Sequence, residues 1–298
     1  MNPPALQTGP ITARLFTDPA CPWGYSANPA LRKIEWRYRD QIEWRLVMIG
    51  LSEPGSEGMG ISQAELASRY HVDLRDRFGM PFAVEPKVRR STSSRACQAI
   101  VAARIFQPGS EWRTLRALQL LNFNSPLLLD DDEQLRAALS SVEGLQADRI
   151  IDSLDDQEVQ DAYRTDWAET RTAADGPTHL QEKHANTPDG VRYTAPSIIF
   201  EAGPQRIEVG GFQPTAAYDA AVANLNPGLK RHGPPESPMD ALALYPGGLS
   251  TQEVASIMTS GNDAIDRAAA ERNLILLQGD RKVKRIEMGN DAIWIAAA

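Results

Sequence analysis

The stretch ITARLFTDPACPWG, residues 11–24, decides the fold because a strand pattern, a turn and a helix start follow one another directly. Residues 11–17 alternate between apolar and polar side chains, as in a half-buried strand, and the two prolines that follow indicate a turn into a helix. Apolar residues then recur at helical spacing from Tyr25 to Tyr38, and residues 42–48 alternate again. This order predicts two parallel strands joined by a right-handed helical crossover.

A long helical segment separates this β-α-β unit from the strands that complete the sheet. Ser62 and Glu65 have the spacing of a capping box, which predicts a helix that ends near Phe78. Strands return in residues 193–200 and 206–209, and a helix follows in residues 214–225. Between the two strand regions the periodicity predicts further helices, approximately in residues 93–106, 111–122, 131–142, 147–154 and 158–173.

A segment rich in proline and glycine, residues 227–238, predicts a linker to a separate module in residues 239–298. The module begins with a capping box at Ser250 and Glu253, which predicts a helix to Met258. A second helix is predicted in residues 263–273, with strands in residues 274–278 and 286–295 on either side of a basic loop. This pattern predicts a small α+β module that is similar to a winged helix.

Composition and charge exclude several classes of protein. The chain of 298 residues carries a net charge of −8 and two cysteines, which opposes non-specific nucleic-acid binding and a disulfide-stapled secreted fold. The module is itself acidic, with six basic and eight acidic residues, so it is predicted to contact a protein or a second copy of the chain rather than DNA. No signal peptide and no apolar run of about 18 residues is present in the sequence, which predicts a cytoplasmic protein without a membrane span.

Two short motifs make the prediction specific. The box DPACPWG, residues 18–24, and the later YTAP, residues 193–196, together resemble the DsbA family of thiol-disulfide oxidoreductases in the thioredoxin superfamily. Within it, the box is similar to that of the FrnE-like branch, a group of disulfide isomerases. The resemblance covers about residues 11–226. It implies an α/β thioredoxin-like domain, β-α-β followed by β-β-α, in residues 11–58 and 190–226, with an all-helical domain inserted in residues 59–189.

The resemblance also assigns roles to residues. Cys21 is the predicted attacking thiolate, since a thiol at a helix N-terminus can have a pKa lowered from ~8.5 toward about 7. In the family the proline equivalent to Pro196 is cis and lies against the active cysteine, which leaves the backbone of the preceding residue to hold the substrate. Trp23 and Tyr25 could each face the substrate or pack in the core. The predicted catalytic residues are Cys21, Pro22, Trp23 and Gly24, and the predicted substrate-binding residues are Ala195, Pro196 and Tyr25.

The chain departs from the family pattern at Gly24, where redox-active members have a second cysteine. No disulfide can form within the box, so a mixed disulfide on Cys21 would need an outside thiol to resolve it. Three functions stay open: a monothiol exchange enzyme, a transferase or isomerase of the kappa-class type, and a non-catalytic adaptor. The Ser-Asp pair of kappa-type enzymes is missing, because residues 211–213 are Gly-Phe-Gln.

No permanently bound cofactor is expected, and a low-molecular-weight thiol is a candidate co-substrate. A protein thiol or a small disulfide is the other candidate substrate. Cys97 lies on an apolar helix face and is predicted to be part of the core. The four histidines lack the spacing of metal ligands, so no metal site is predicted.

Overall fold

The computed structural model of the chain describes residues 10–54 and 71–297. A short 3-10 turn, Arg39–Gln41, joins the second helix to the second strand. In chain order the helices and strands of the described ranges are β1 (Ile11–Thr17), α1 (Pro22–Ser26), α2 (Asn28–Tyr38), β2 (Ile42–Met48), α3 (Asp73–Phe78), α4 (Ser94–Phe106), α5 (Glu111–Asn124), α6 (Asp132–Ser140), α7 (Ala147–Asp152), α8 (Gln157–Thr170), α9 (Pro177–Leu180), β3 (His184–Thr187), β4 (Gly190–Tyr193), β5 (Ser197–Ala202), β6 (Gln205–Val209), α10 (Thr215–Leu225), α11 (Pro238–Leu244), β7 (Leu249–Ser250), α12 (Thr251–Met258), α13 (Arg267–Gly279), β8 (Val283–Met288) and β9 (Asp291–Ala296).

The main sheet has four strands in the order β2-β1-β5-β6. β1 and β2 are parallel, with Ile11 opposite Ile42, and β5 and β6 are both antiparallel to their neighbours. Successive side chains of β1 point to opposite faces, so Leu15 packs in the larger core and Phe16 in a smaller one beside the cysteine box. The predicted β-α-β unit and the later β-β-α unit are confirmed.

The helix predicted in residues 25–38 begins earlier and is divided in two. It starts at Pro22, breaks at Ala27 and continues as α2 from Asn28. Pro29 lies in the first turn of α2, where a proline is tolerated because its missing amide would have no partner in the helix. The break gives the cysteine box a short helix of its own.

Helices α3 to α8 form the inserted helical layer. Its central element is α4, which contacts α5, α7 and α8 and also touches β2. α4 is buried on almost every side because its side chains are small. Ala96, Ala99 and Ala102, for example, are fully buried. The helices predicted in this layer are confirmed with ends shifted by a few residues, while the capping box at residues 62–65 lies outside the described residues. None of the helices in the described ranges is long and apolar enough to cross a lipid bilayer.

The segment predicted as one strand, residues 193–200, contains two strands. β4 ends at Tyr193 and belongs to a separate two-stranded hairpin with β3, whereas β5 begins at Ser197 in the main sheet. Pro196 lies between them and, because it has no amide hydrogen, cannot continue a strand ladder. The β3-β4 hairpin was not predicted from the sequence.

The C-terminal module has the element order α11-β7-α12-α13-β8-β9, with its strands in one antiparallel sheet. This is the order of a winged helix, as predicted, but two details of the prediction were wrong. The residues predicted as a strand, 274–278, are the last turns of α13, with Leu274 buried and Leu276 exposed. Residues 286–295, predicted as one strand, include parts of both β8 and β9, which are joined by a hairpin turn at Gly289, whose positive φ suits glycine; the basic loop instead joins α13 to β8.

The module is packed firmly on the rest of the chain through α12 and α2. Glu253 on α12 is fully buried, and both of its carboxylate oxygens accept hydrogen bonds of 2.7 Å from Arg116 on α5. Arg32 on α2 lies 3.8 Å from the same carboxylate. Trp36 of α2 also belongs to the hydrophobic core of the module. The predicted linker therefore connects two regions that share a buried interface.

Candidate active site

Cys21 is the N-cap residue of α1, in the position that the strand-to-helix turn predicts. Its backbone is extended, and its Sγ accepts a hydrogen bond from the amide of Gly24 at 3.4 Å. Pro22 occupies the first turn of the helix, where its missing amide costs no hydrogen bond. The box thus places a sulfur atom against the free amides of a helix start.

Across from the sulfur lies the peptide bond between Ala195 and Pro196, which is cis. The Cys21 thiol donates a hydrogen bond to the carbonyl oxygen of Ala195, with 3.3 Å between Sγ and oxygen. Ser197 supports this turn, because its hydroxyl donates to the carbonyl of Thr194. The fold therefore brings together Cys21 and Ala195, which are far apart in the sequence.

The thiol lies at an open cavity of about 680 Å³. Trp23 and Ala195, two of the predicted site residues, line this cavity, and both lie beside Cys21. Other lining residues come from the loop after β2, from α3, from the residues around the β3-β4 hairpin and from the segment before α10. They are Leu51, Arg77, Phe78, Lys183, Arg192, Thr194, Phe212 and Pro214.

Trp23 and Tyr25, which were both candidates for contact with the substrate, differ in location. The Trp23 ring lines the cavity and meets the ring of Phe212 edge-on at a centroid distance of 5.6 Å. Tyr25 is fully buried, stacks on Phe123 at 4.8 Å and donates its hydroxyl hydrogen to the carbonyl of Pro81. Tyr25 therefore packs in the core and does not line the cavity, so the structure contradicts its predicted substrate-binding role.

The pKa of Cys21 differs from the sequence-based expectation. Burial, which leaves only 6% of the residue exposed, raises the pKa of the thiol to about 11. The amides of Gly24 and Trp23 and the charge of Arg192 lower it, while the charge of Asp18 raises it. The amides of the helix start do lower the pKa of Cys21 as expected, but the desolvation of the thiolate raises it by more.

The side chain of Asp18 lies beneath the box and is fully buried. It accepts hydrogen bonds from the amide of Leu51 at 2.8 Å and from the hydroxyl of Ser93 at 2.9 Å. Cys97 also donates to it at 3.4 Å. Burial raises the pKa of Asp18 against these stabilising hydrogen bonds. Through these hydrogen bonds Asp18 connects the turn before the box with the loop after β2 and with the central helix α4.

Cys97 is buried in the main core, as predicted, and both cysteines are free thiols. Burial also raises the pKa of Cys97 well above its usual value, and the charge of Asp18 adds to the effect. A protonated, fully covered thiol is a poor nucleophile. The chemistry of this site therefore depends on Cys21.

Sequence reasoning missed the charged and aromatic residues of the cavity wall. Arg77 and Phe78 end α3, Lys183 precedes β3 and Arg192 lies on β4, so no shared spacing in the sequence connects them. Phe212 was considered only as part of a missing kappa-type motif. Within residues 10–54 and 71–297, no group of three or more His, Cys, Asp or Glu side chains is arranged to hold a metal ion.

Comparisons with known proteins agree with this geometry. The model of the DSBA-like thioredoxin domain family matches residues 12–174. A putative protein disulfide isomerase from Nitrosomonas europaea has a similar structure, with a TM-score of 0.56 and 14% identity over 72% of this chain and 97% of its own. A probable DsbA oxidoreductase from Streptomyces coelicolor gives a TM-score of 0.53 and 19% identity over 72% and 89%.

A third similar structure is the cytosolic disulfide reductase DsbM from Pseudomonas aeruginosa, with a TM-score of 0.51 and 15% identity over 72% of this chain and 99% of its own. At these identities the three structures are evidence for a shared fold. No match was found among curated protein sequences.

Proposed function

The chain belongs to the DSBA-like thioredoxin domain family, and we propose that it is a thiol-disulfide oxidoreductase that works through the single thiol of Cys21. One observation carries the proposal: the Cys21 sulfur contacts both the amide of Gly24 at the helix start and the carbonyl of Ala195 before the cis proline, and it borders an open cavity. Of the two cysteines, only Cys21 has this placement.

The reaction consists of two exchange steps. The thiolate of Cys21 attacks one sulfur of a disulfide, the old S–S bond breaks, and the second half leaves as a thiolate that takes up a proton from solvent. A mixed disulfide on Cys21 remains. Because residue 24 is a glycine, the box has no second thiol that could attack the mixed disulfide. An outside thiol therefore attacks it and releases Cys21. We propose a low-molecular-weight thiol for this second step.

The backbone around Cys21 positions the reacting sulfurs. The carbonyl of Ala195 holds the thiol of the free protein, and the amides of Gly24 and Trp23 stabilise the thiolate. With a pKa of about 11, the thiolate amounts to about one molecule in ten thousand at pH 7. We expect turnover to be slow at neutral pH and to rise as the pH is raised.

Two further proposals concern the branch of the family and the cellular compartment. The CPWG box supports a place in the FrnE-like branch of the family, with glycine instead of the second cysteine. Two free thiols and no disulfide in the described residues are compatible with a reducing compartment, so we propose a cytoplasmic setting.

The test is turnover of a disulfide substrate with a low-molecular-weight thiol as reductant. Wild type, Cys21→Ser and Cys97→Ala are compared at pH 8. We expect Cys97→Ala to keep the activity, because Cys97 is buried away from the cavity, and Cys21→Ser to lose it. Equal rates for wild type and Cys21→Ser would refute the proposal.

A second candidate is a non-catalytic binding scaffold on the same fold. The raised pKa of Cys21 favours it, because a thiol that stays protonated near pH 7 reacts slowly. The same comparison separates the two functions. If the turnover of Cys21→Ser equals that of wild type at every pH, the cavity only binds a ligand, and the protein is a binding scaffold rather than an enzyme.

A further inference from the structure

The cavity at Cys21 has a charge opposite to that of the whole chain. The protein carries a net charge of −8, yet the charged side chains that line the cavity are Arg77, Lys183 and Arg192. No carboxylate lines it among the residues that the structure describes. An anion that enters this cavity therefore meets three positive charges close to the reactive sulfur.

These three cations form no ion pairs within the described part of the fold. Arg77, Lys183 and Arg192 make no ion pair with any other side chain of the described ranges, although most arginines of those ranges do. Arg77 lies over the ring of Phe78, with 5.0 Å between its guanidinium carbon and the ring centroid. Lys183 is exposed at the mouth of the cavity. Within the described part of the chain, neither side chain has an ionic partner that a ligand would have to displace.

Arg192 is the most buried of the three cations and has no anionic partner among the described residues. It is half-buried, and its one side-chain hydrogen bond to a described residue goes to the carbonyl of the next residue, Tyr193, at 2.8 Å. Cations that lose water are normally paired. Burial lowers the pKa of Arg192, and the negative charges of Asp18 and of a Cys21 thiolate raise it. Arg192 therefore has a desolvated charge that acts on the reacting sulfur.

Aromatic rings form the apolar part of the cavity. The rings of Trp23, Phe78 and Phe212 meet one another, with centroid distances of 4.5 to 5.8 Å. Such a surface binds flat or apolar groups, while the cations donate hydrogen bonds to carboxylates. Both features belong to the same cavity as the thiol.

We propose that the Cys21 cavity selects thiols and disulfides that carry carboxylate groups, and that Arg192 and Lys183 are the residues that determine this preference. The inference rests on the proposed exchange function of Cys21. Arg192 in addition stabilises the mixed-disulfide transition state, in which negative charge is spread over three sulfurs, by its proximity to Cys21.

The test compares two aromatic disulfides that release a coloured thiol: the dianionic 5,5′-dithiobis(2-nitrobenzoic acid) and the neutral 4,4′-dithiodipyridine. Their rates with Cys21 are measured in a Cys97→Ala background at low salt and constant pH. The measured quantity is the ratio of the anionic to the neutral rate, because a change in the pKa of Cys21 alters both rates and cancels in the ratio.

We expect Arg192→Gln and Lys183→Gln each to lower this ratio about two- to fivefold, the effect of one ion pair at a partly exposed site. Arg192→Lys keeps the charge and should retain most of the ratio. The matched control is Arg164→Gln, which removes the same charge from an exposed site on α8, outside the cavity. High salt should lower the ratio of the parent protein and leave that of Lys183→Gln less affected.

The outcomes distinguish this inference from the function on which it rests. If neither Arg192→Gln nor Lys183→Gln changes the ratio while Cys21 still reacts, anion selection is refuted and exchange stands. If Cys21→Ser reacts with both disulfides as fast as the parent, the exchange function itself fails. Lys183 is exposed, so its variant tests the proposal even if Arg192→Gln does not fold.

Discussion

Replacing Gly24 with cysteine should convert the box into a working two-cysteine pair. A Cβ built on Gly24 lies 3.5 Å from the Cβ of Cys21. Disulfides span about 3.5 to 4.5 Å between Cβ atoms, so the helix start already has the required separation. The same Cβ lies 3.1 Å from the hydroxyl oxygen of Thr17, so this hydroxyl must move by a few tenths of an ångström.

The assay is intact mass in a Cys97→Ala background, before and after mild oxidation. We expect the oxidised Gly24→Cys protein to lose about 2 Da, the two thiol hydrogens, and to lose its two alkylation sites. Reduction should restore both. Gly24→Ala is the matched control for the added Cβ, since it meets Thr17 in the same way but has no sulfur.

Thr17→Ala is combined with Gly24→Cys to remove the one close contact. If neither protein forms the bond under conditions that oxidise a free dithiol, the backbone of this box does not have the geometry described above. If the bond forms only with Thr17→Ala, the Thr17 hydroxyl is what keeps a second cysteine out of this position.

Two further predictions concern pH and stability. Because only the thiolate is alkylated and burial raises the pKa of Cys21 to about 11, the alkylation rate in Cys97→Ala should rise about tenfold per pH unit from pH 7 to 9, with no plateau below about pH 10. Replacing Arg116 with methionine removes two of the three hydrogen bonds of 2.7 Å to the buried Glu253 carboxylate and leaves only that from the amide of Ser250, so urea unfolding should show a loss of about 3 kcal/mol at pH 7. Burial raises the pKa of Glu253, but the charges of Arg116 and Arg32 outweigh burial and hold that pKa below its usual value. This loss should therefore shrink as the pH falls below the usual glutamate range and through the lowered pKa, where the carboxylate of the intact pair becomes protonated.

Each of these predictions has its own control. For alkylation it is the unfolded protein, whose rate should be half-maximal near pH 8.5 and level off about one unit above it, and the same profile in the folded protein would contradict the raised pKa. For the ion pair it is Arg164→Met, an exposed pair worth less than about 1 kcal/mol. An Arg116→Met protein as stable as the parent would mean that Arg32 alone is enough for Glu253.

The sequence predicts the features that depend on local pattern. The alternation of residues 11–17 and 42–48 predicts both parallel strands. The meeting of Cys21 and Ala195 is implied only by the resemblance to the DsbA family that the CPW box and the later proline carry. Patterns of a few residues were less reliable. The apolar run at 274–278 fits a strand as well as a helix, and only its place within α13 decides between them.

Properties that depend on three-dimensional burial could not be predicted. The pKa of Cys21 results from opposing contributions of burial and backbone amides, and the sequence reveals only the helix start. Arg77 and Arg192 come from distant segments, so their common cavity appears only when α3 and the β3-β4 hairpin are in place. Tyr25 follows the box directly, yet its ring turns into the core beside Phe123.

The shared interface between α12 and α2 limits how this protein can be shortened. A chain that stopped before Pro238 would leave the guanidinium of Arg116 facing a vacated surface and would uncover Trp36. Loss of function in such a fragment would not by itself identify a role of the module, because α2, the helix that follows the cysteine box, would lose its packing as well. The C-terminal module therefore stabilises the thioredoxin-like domain, and the expectation that it contacts a partner has to be tested with substitutions on its outer surface.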